Sequence, residues 1–369
     1  MQMANNRTRC IGVLTAGGDC PGLNAAIRGV AKAALHNGTK VIGFLDGFRG
    51  LVENRTVQLD DASVSGILTH GGTLLGSSRD KPHKMNMGGQ IMDMTAVAAD
   101  NLEKLHVDCL VCLGGNGTQK NALRLSRKGN IPVLTLPKTI DNDVAATEIT
   151  FGFDSAMQVA TEAIDRLHST ATSHHRVIIC EIMGHNAGWL TLGAGIAGGA
   201  DVILIPEIPY NLSHVVEHIR ARRHHNKRFS IIAVAEGALS VEEANSTSKK
   251  KDVETMLHKK DGQTLIAEPK ASRLARELQQ MSGIDVRVTS LGHVLRGGIP
   301  SPTDRLLCTA LGTRAGQLLA DGVYDVMVAV RGQECVPVPL EEVAGITRTV
   351  PTEHAWIQTA RLVDTCMGD

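Results

Sequence analysis

The chain has 369 residues, and its 38 Lys and Arg side chains are balanced by 38 acidic ones, so the formal net charge is zero. This balance gives no electrostatic footprint for nucleic acid or an acidic membrane, and 2 Trp, 2 Tyr and 5 Phe give few rings for stacking bases. The first ten residues lack the apolar core of a signal peptide, and no apolar run is long enough to span a bilayer. The composition predicts a cytoplasmic protein of two domains that acts on small molecules and binds neither nucleic acid nor membrane.

The first part of the chain alternates short apolar runs with helical periodicity. The predicted elements are strands at 10–15, 108–113 and 131–136, and helices at 23–36 and about 118–128. Glycine-rich turns at 16–22 and 114–117 each join a strand to the following helix. Continuous apolar strands alternating with helices are typical of a parallel sheet that helices cover on both faces.

The same alternation restarts after Thr150. The predicted elements there are helices at 155–168, 190–198, 213–224 and 271–280, and strands at 176–182, 201–205, 229–235 and 324–330. The predicted fold class is therefore α/β, with two Rossmann-like three-layer αβα domains and mostly parallel sheets. Residues 240–270 are rich in Ser, Asn and Lys, which predicts a surface insertion; a sensor or partner-binding loop is the alternative.

The two glycine turns are candidate phosphate sites, because glycine lets the backbone approach a ligand and a helix N-terminus attracts anions. Glycines also make ordinary corners between strand and helix, so the turns alone do not decide. No Walker motif is present, and Lys120 occupies the third glycine position of a dinucleotide fingerprint that would begin at Gly115. A Rossmann dehydrogenase is therefore disfavoured.

An acidic segment at 136–143 directly follows a predicted buried strand, at the sheet edge where open α/β folds bind ligands. If it is extended, Asp141 and Asp143 point to the same side. Two such carboxylates suit phosphoryl transfer, in which one accepts the proton of the acceptor hydroxyl and the other helps to hold a metal ion. A polar turn with helix-capping residues is the equally weighted alternative.

Six motifs in sequence order carry a resemblance to a known family. They are IGVLTAGGDCPGLNAAIRG at 11–29, GGTLLGSSR at 71–79, GGNGT at 114–118, PKTIDND at 137–143, EIMGHNAG at 181–188 and GHVLRGG at 292–298. Together they span nearly the whole chain and closely resemble the phosphofructokinase family. The resemblance implies transfer of a phosphoryl group to the 1-hydroxyl of fructose 6-phosphate in a cleft between two domains.

The resemblance also assigns roles to the residues around the acidic segment. Asp141 is the implied general base, while Thr139, Asp143 and Arg79 are implied to position the transferring phosphoryl group. The implied phosphoryl-donor site comprises Gly18, Arg79, Asn116, Gly117, Thr118 and Lys138. Mg²⁺ is the implied cofactor, with Asn116 and Asp143 as its protein ligands.

Further residues are implied to bind the sugar phosphate. They are Thr139, Asp141, Arg176, Met183, Glu236, Arg287, His293 and Arg296. In the family, the residues matching Arg176 and Arg287 reach across from a neighbouring subunit, which implies a homo-oligomer, either a tetramer or a dimer. The implied donor domain comprises residues 1–152 and about 297–345, and the implied sugar-phosphate domain comprises 153–296 and the C-terminal tail.

Three positions bear on the phosphoryl donor. Asn116 stands where the common family pattern has Asp, which predicts weaker protein contacts to the metal. Gly117 leaves space for the α-phosphate of ATP, whereas Lys138 also occurs in relatives that use pyrophosphate. ATP is the predicted donor; a pyrophosphate-dependent phosphotransferase and a non-catalytic sugar-phosphate-binding regulatory subunit are the alternatives.

Cys20 lies within the first glycine turn, beside a helix N-terminus. Such a setting lowers the pKa of a thiol. It suggests the hypothesis that Cys20 is redox-sensitive.

Overall fold

The computed structural model of the chain describes residues 8–250 and 269–369, without the side chains of residues 247–250. The described residues form two compact units. Unit 1 comprises the residues up to Ala156 together with Arg296–Arg348, and unit 2 comprises Met157–Leu295, except for its undescribed part, and Thr349–Asp369. Among the described residues, no helix combines the length and apolar content that a membrane span requires.

Unit 1 contains a seven-stranded sheet. Its strands are β1 (Cys10–Thr15), β2 (Lys40–Phe44), β3 (Thr56–Gln58), β6 (Cys109–Gly114), β7 (Val133–Pro137), β12 (Val326–Arg331) and β13 (Glu334–Pro339), and β4 (Met85–Met87) and β5 (Gln90–Met92) form a separate hairpin. The strand order is β13-β12-β7-β6-β1-β2-β3, and only the two edge strands run antiparallel to their neighbours. Every residue of β1, β6 and β7 is buried, as expected for strands covered on both faces.

The helices of unit 1 pack on this sheet. They are α1 (Leu23–His36), α2 (Phe48–Glu53), α3 (Thr95–Lys104), α4 (Asn116–Gly129) and α10 (Pro302–Ala320), with short 3₁₀ helices at Ile67–Thr69, Pro82–Lys84 and Leu340–Glu342. Leu102 of α3 and Leu125 of α4 join one apolar core with Leu14, Leu110 and Val133 of the central strands. Burial of this core holds α4, which begins at the second glycine turn, against the sheet.

Unit 2 contains a four-stranded parallel sheet in the order β11-β8-β10-β9. Its strands are β8 (Val177–Ile182), β9 (Val202–Leu204), β10 (Ser230–Ala235) and β11 (Val286–Ser290). Its helices are α6 (Trp189–Ala197), α7 (Leu212–His224), α8 (Val241–Lys250), α9 (Lys270–Ser282) and α11 (Ala355–Leu362), with a 3₁₀ helix at Gly292–Arg296; α5 (Phe153–His174) begins in unit 1 and continues into unit 2. Residues of α7 and α9 pack with the strands in one core.

The predicted elements recur within a few residues of their expected bounds, and the α/β class with largely parallel sheets is confirmed. The sequence pattern did not predict β2, β3, α3 or α10. The described start of the predicted 240–270 insertion forms α8, whereas residues 251–268 of that segment lie outside the described residues.

Candidate active site

Three neighbouring parallel strands of unit 1 end together and bring the predicted donor residues to one edge. Thr15 of β1 pairs in register with Leu113 of β6, and Gly114 pairs with Pro137 of β7. The backbone N–H of Ala16 donates to Leu113 O at 3.0 Å, and that of Lys138 donates to Gly114 O at 3.1 Å. The two glycine turns and the acidic segment therefore emerge at the same sheet edge.

The first glycine turn is held by groups from two other segments. Gly17 has φ +88°, which favours glycine, and its N–H donates to Ser78 O at 2.9 Å. Ser77 Oγ donates to Gly17 O at 2.7 Å, and Lys138 Nζ donates to Gly18 O. Lys138 is 4% exposed, and this burial lowers the pKa of its ammonium group. These contacts fix the carbonyl groups of the turn before any ligand binds.

The second glycine turn leads directly into α4. A Cβ on Gly114 would overlap the side chain of Thr118, so only glycine fits there. Thr118 is buried and its hydroxyl donates to Ala16 O at 3.4 Å, which ties this turn to the first. Gly117 is exposed, and a Cβ at this position would meet no atom within 4 Å. The turn presents open space at the N-terminus of a 14-residue helix, where the dipole favours an anion.

The acidic segment is a turn, so the extended conformation on which the same-side argument for Asp141 and Asp143 depended is absent. Asn142 between them has φ +51°, in the left-handed region. The N–H of Asp141 donates to Thr139 Oγ1 at 3.1 Å, and the N–H of Thr139 donates to Phe151 O at 3.3 Å. Both carboxylates are half-buried and have partners within the protein. The segment is a polar turn, as one of the two alternatives proposed, and the roles of its two acids stay a prediction.

The side chains of Asn116 and Asp143 meet where the second turn approaches the acidic segment. Asn116 Nδ2 donates to the carboxylate of Asp143 at 2.8 Å and to its backbone carbonyl at 3.1 Å. Asn116 Oδ1 is buried and has no hydrogen-bond partner in the described part of the chain. An unsatisfied amide oxygen beside a carboxylate fits a hard cation such as Mg²⁺, which prefers oxygen ligands. The described residues contain no cluster of three or more His, Cys, Asp or Glu able to bind a metal.

Two arginines flank the first glycine turn. Arg79 is exposed and directly follows Ser78, which forms a β-bridge with Ala16. Arg296 lies against Gly18, since a Cβ built there would be 3.0 Å from its guanidinium carbon. Unit 1 therefore contains the predicted donor residues, Asp143, and three of the eight predicted sugar-phosphate residues, namely Thr139, Asp141 and Arg296.

In unit 2 the predicted sugar-binding residues separate into two groups. Met183 directly follows β8, and Glu236 directly follows β10; the N–H of Glu236 donates to Ile182 O at 3.0 Å. Glu236 Oε1 accepts the N–H of His185 at 2.9 Å. His293 is exposed on the 3₁₀ helix that follows β11. These three lie at the carboxyl edge of the sheet.

The second group lies at the opposite, amino edge. Arg176 precedes β8, and Arg287 is the second residue of β11. Both pair with Asp285: Arg176 Nε lies 2.6 Å from Oδ2, and Arg287 Nη1 lies 3.0 Å from Oδ1. Since a strand rises about 3.3 Å per residue, the backbones of Arg176 and Met183 are roughly 20 Å apart. The structure of unit 2 does not place all five residues around one ligand.

Several contributors were missed by the sequence analysis. Asn142, Thr150 and Arg348 hold the acidic segment, and Asp285 orients the two arginines of unit 2. The sequence did carry a signal for Asn142. Asn adopts a left-handed backbone conformation more readily than most residues, and this one lies between two acids. Arg348 lies about 200 residues downstream, so only the folded chain reveals its contact.

The hypothesis of a redox-sensitive Cys20 is wrong in its physical basis. The side chain is fully buried, and burial raises the pKa of the thiol to about 12 instead of lowering it. Its Sγ lies 3.7 Å from Phe151 O in the protein interior. A neutral, enclosed thiol is a packing group.

Glycine turns at a helix N-terminus, beside paired carboxylates and arginines, are an arrangement that phosphoryl-transfer enzymes use. A sequence model of one such family, described as Phosphofructokinase, matches residues 10–319. The chain is 54% identical over 370 residues to the ATP-dependent 6-phosphofructokinase of Propionibacterium freudenreichii, with 97% of this chain and 99% of that protein covered. It is 52% identical to the ATP-dependent 6-phosphofructokinase of Spirochaeta thermophila, over the full length of both.

Among solved structures, the crystal structure of Pichia pastoris phosphofructokinase in the T-state is similar, with a TM-score of 0.79 and 29% identity. The match covers 91% of this chain but only 35% of the Pichia chain. The chain belongs to the phosphofructokinase family. The resemblance drawn from the six motifs and the predicted kinase class are confirmed.

Proposed function

We propose that the chain is an ATP-dependent 6-phosphofructokinase, which transfers the γ-phosphoryl group of ATP to the 1-hydroxyl of fructose 6-phosphate. The observation that carries this proposal is the shared edge of β1, β6 and β7, where both glycine turns meet Asp141 and Asp143. The names of relatives that match over nearly the whole chain support the substrates. Unit 1 is the proposed donor domain, and unit 2 supplies most of the sugar-phosphate contacts.

Asp141 is the proposed general base, which accepts the proton of the sugar 1-hydroxyl as that oxygen attacks the γ-phosphorus. Arg79 offers a forked donor to the oxygens of the transferring group, and Thr139 holds the backbone of Asp141 in place. Gly18, Thr118 and Lys138 form the walls of the donor site. When bound, Mg²⁺ neutralises charge on the phosphates, with Asn116 and Asp143 as its protein ligands.

ATP is favoured over pyrophosphate because of the space at Gly117. A Cβ at that position would meet nothing within 4 Å, which leaves room for a phosphate beyond the two that pyrophosphate has. Lys138 is already engaged, since its buried ammonium group donates to Gly18 O. The position of Lys138 therefore does not require a pyrophosphate product as its partner.

A coupled assay on the purified protein tests the proposal. Fructose 6-phosphate and Mg²⁺ are supplied with either ATP or pyrophosphate, and formation of the bisphosphate is followed. Turnover with ATP and none with pyrophosphate is the expected result. Turnover with pyrophosphate alone overturns the choice of donor, and sugar binding without turnover from either donor indicates the regulatory-subunit alternative.

The positions of Arg176 and Arg287 support a site completed by a second copy of the chain. They lie roughly 20 Å along β8 from the position of Met183, farther than an arginine side chain reaches. We propose a homo-oligomer, a dimer or tetramer, in which these arginines bind the sugar phosphate of a neighbouring subunit. Arg296, Met183, Glu236 and His293 are proposed to contact the sugar phosphate from the subunit's own side.

Mixing two variants of low activity, at a fructose 6-phosphate concentration far below the KM of Arg287→Ala, tests this arrangement. An Arg287→Ala chain keeps Asp141, and an Asp141→Asn chain keeps Arg287. If the two residues that serve one site come from different chains, dissociating and reassociating the mixture restores a fraction of activity. Either variant alone, treated identically, is the control. A mixture that forms hybrid oligomers without recovering activity contradicts the shared site.

A further inference from the structure

Thr150 is a fully buried residue that forms hydrogen bonds to the acidic segment on both sides of Asp141. Its hydroxyl donates to Thr139 O at 2.7 Å, and its backbone N–H donates to Asn142 Oδ1 at 3.0 Å. Asn142 is 4% exposed and Thr139 is 8% exposed, so these hydrogen bonds are shielded from water. We call this set of contacts among Thr139, Asn142 and Thr150 the Thr150 latch.

Asp141 lies between the two residues that the latch holds. Its own N–H is bonded to Thr139 Oγ1 at 3.1 Å, so Thr139 transmits the position fixed by Thr150. On the other side, Asn142 adopts φ +51°, a conformation that costs energy for most residues. The hydrogen bond from Thr150 N–H to the Asn142 side chain holds the turn in that conformation.

A second anchor acts on the far side of the same turn. The N–H of Arg348 donates to Asp143 O at 2.7 Å, and its guanidinium group donates to Asn142 O at 3.3 Å. This anchor fixes the backbone after Asp141 and contacts neither Thr139 nor Thr150 in these bonds. The turn before Asp141 is therefore held by the latch together with the bond from the N–H of Thr139 to Phe151 O at 3.3 Å.

We propose that Thr150 is a positioning residue for phosphoryl transfer, acting through Thr139 and Asn142 to hold the carboxylate of Asp141. The inference rests on the proposed function. A displacement of about 1 Å in a reacting group can cost roughly a hundredfold in rate. Loss of the latch hydroxyl therefore lowers kcat while leaving the donor and sugar subsites formed.

The chain offers a matched control three residues away. Thr147 is also buried, at 4% exposed, and its hydroxyl donates to Ile149 O at 3.0 Å and accepts the N–H of Val330 at 2.9 Å. Thr150→Val and Thr147→Val remove the same hydroxyl from similarly buried sites, but only the first breaks a bond to the Thr139–Asn142 turn. A purely structural role predicts similar kinetic consequences for both.

Steady-state kinetics of these variants, well below their unfolding midpoints, tests the inference. Thr150→Val is expected to lower kcat about tenfold or more with each KM changed less than about threefold, whereas Thr150→Ser restores kcat. Thr147→Val is expected to keep kcat within about twofold. Equal losses in the two valine variants, or an unchanged kcat for Thr150→Val, overturn the inference.

Asn142→Gly provides a second route if Thr150→Val does not fold. Glycine tolerates the left-handed backbone, so this variant removes the acceptor for Thr150 N–H without adding strain. It is expected to lower kcat about tenfold, and wild-type kcat in a folded Asn142→Gly protein counts against the latch. Absence of turnover in the wild type would instead contradict the proposed function. Failure of the Thr150 inference and failure of the proposed function therefore give different results.

Discussion

The proposed catalytic edge of unit 1 and the proposed sugar-binding residues of unit 2 differ in how completely one chain builds them. In unit 1, Lys138 and Thr139 are at least nine-tenths buried, and each is bonded to a neighbouring segment. In unit 2, the side chain of Arg287 is 57% exposed and that of His293 is also exposed. The proposed catalytic residues are therefore held in place within one chain, whereas the proposed sugar-phosphate residues of unit 2 are exposed, as the proposed contact with a ligand or a second subunit requires.

Of the changes at the unit 1 edge, Gly117→Asp has the largest expected effect, which is a loss of ATP turnover. A carboxylate at this position would repel the phosphates of ATP, by about 4 kcal/mol for two unit charges roughly 4 Å apart at an effective dielectric constant of about 20. That corresponds to a fall of roughly a thousandfold in ATP turnover. The coupled assay with ATP measures it.

The control for this variant is binding of fructose 6-phosphate, followed as a shift in the unfolding midpoint. Trp189 and Trp356 both lie in unit 2, with ring centroids 6.3 Å apart, and report unfolding there by fluorescence. Retained ATP turnover in a folded Gly117→Asp protein would show that the space at Gly117 does not select the donor.

Arg287→Ala tests the exposed residues of unit 2 that are proposed to bind the sugar phosphate. Loss of a charged hydrogen bond to phosphate costs about 1.5–3 kcal/mol, so KM for fructose 6-phosphate is expected to rise about tenfold to a hundredfold. KM for ATP should change little. Arg166→Ala is the matched control, because Arg166 pairs with Glu162 at 2.6 Å on the surface of the same unit. Equal effects of the two variants would remove Arg287 from the sugar site.

Asn116→Asp tests the proposed metal site and is expected to change the Mg²⁺ dependence of activity by a smaller factor. A carboxylate binds Mg²⁺ more strongly than an amide oxygen, so the Mg²⁺ concentration for half-maximal activity should fall, on the order of tenfold. Without metal, the new acid faces Asp143 and loses the 2.8 Å hydrogen bond, which lowers stability. Thermal unfolding with and without Mg²⁺ therefore gives a second readout. A metal dependence identical to that of the wild type contradicts this site.

Cys20 gives the smallest expected effect. Because its pKa is raised to about 12, only roughly one thiol in ten thousand is ionised at pH 8, and the side chain is enclosed. Native protein treated with iodoacetamide should retain its kinase rate, with Cys20 unmodified by peptide mass spectrometry. Alkylation of Cys20 accompanied by loss of rate would restore the redox hypothesis.

Most of the correct predictions about the fold came from local sequence patterns. The strands β1, β6 and β7 are continuous apolar runs followed by glycine or polar turns, and these signals placed the donor residues at one sheet edge. Strand β3 is three exposed residues long, so its periodicity carries no signal. The turn of the acidic segment depends on Thr150 and Arg348, whose contacts exist only after folding. The predicted strand at 176–182 already separates Arg176 from Met183, whereas the approach of Arg287 to Arg176 required the strand register.

The catalytic rate of Asp141→Asn tests the central claim most directly. Asparagine keeps the size of the side chain and cannot accept the proton, so kcat is expected to fall about a hundredfold to ten-thousandfold with both substrates still bound. Asp321→Asn, at the exposed end of α10, is the control that should keep the wild-type rate. A wild-type kcat in Asp141→Asn would contradict the account, since the edge of unit 1 would then not be the place where the phosphoryl group is transferred.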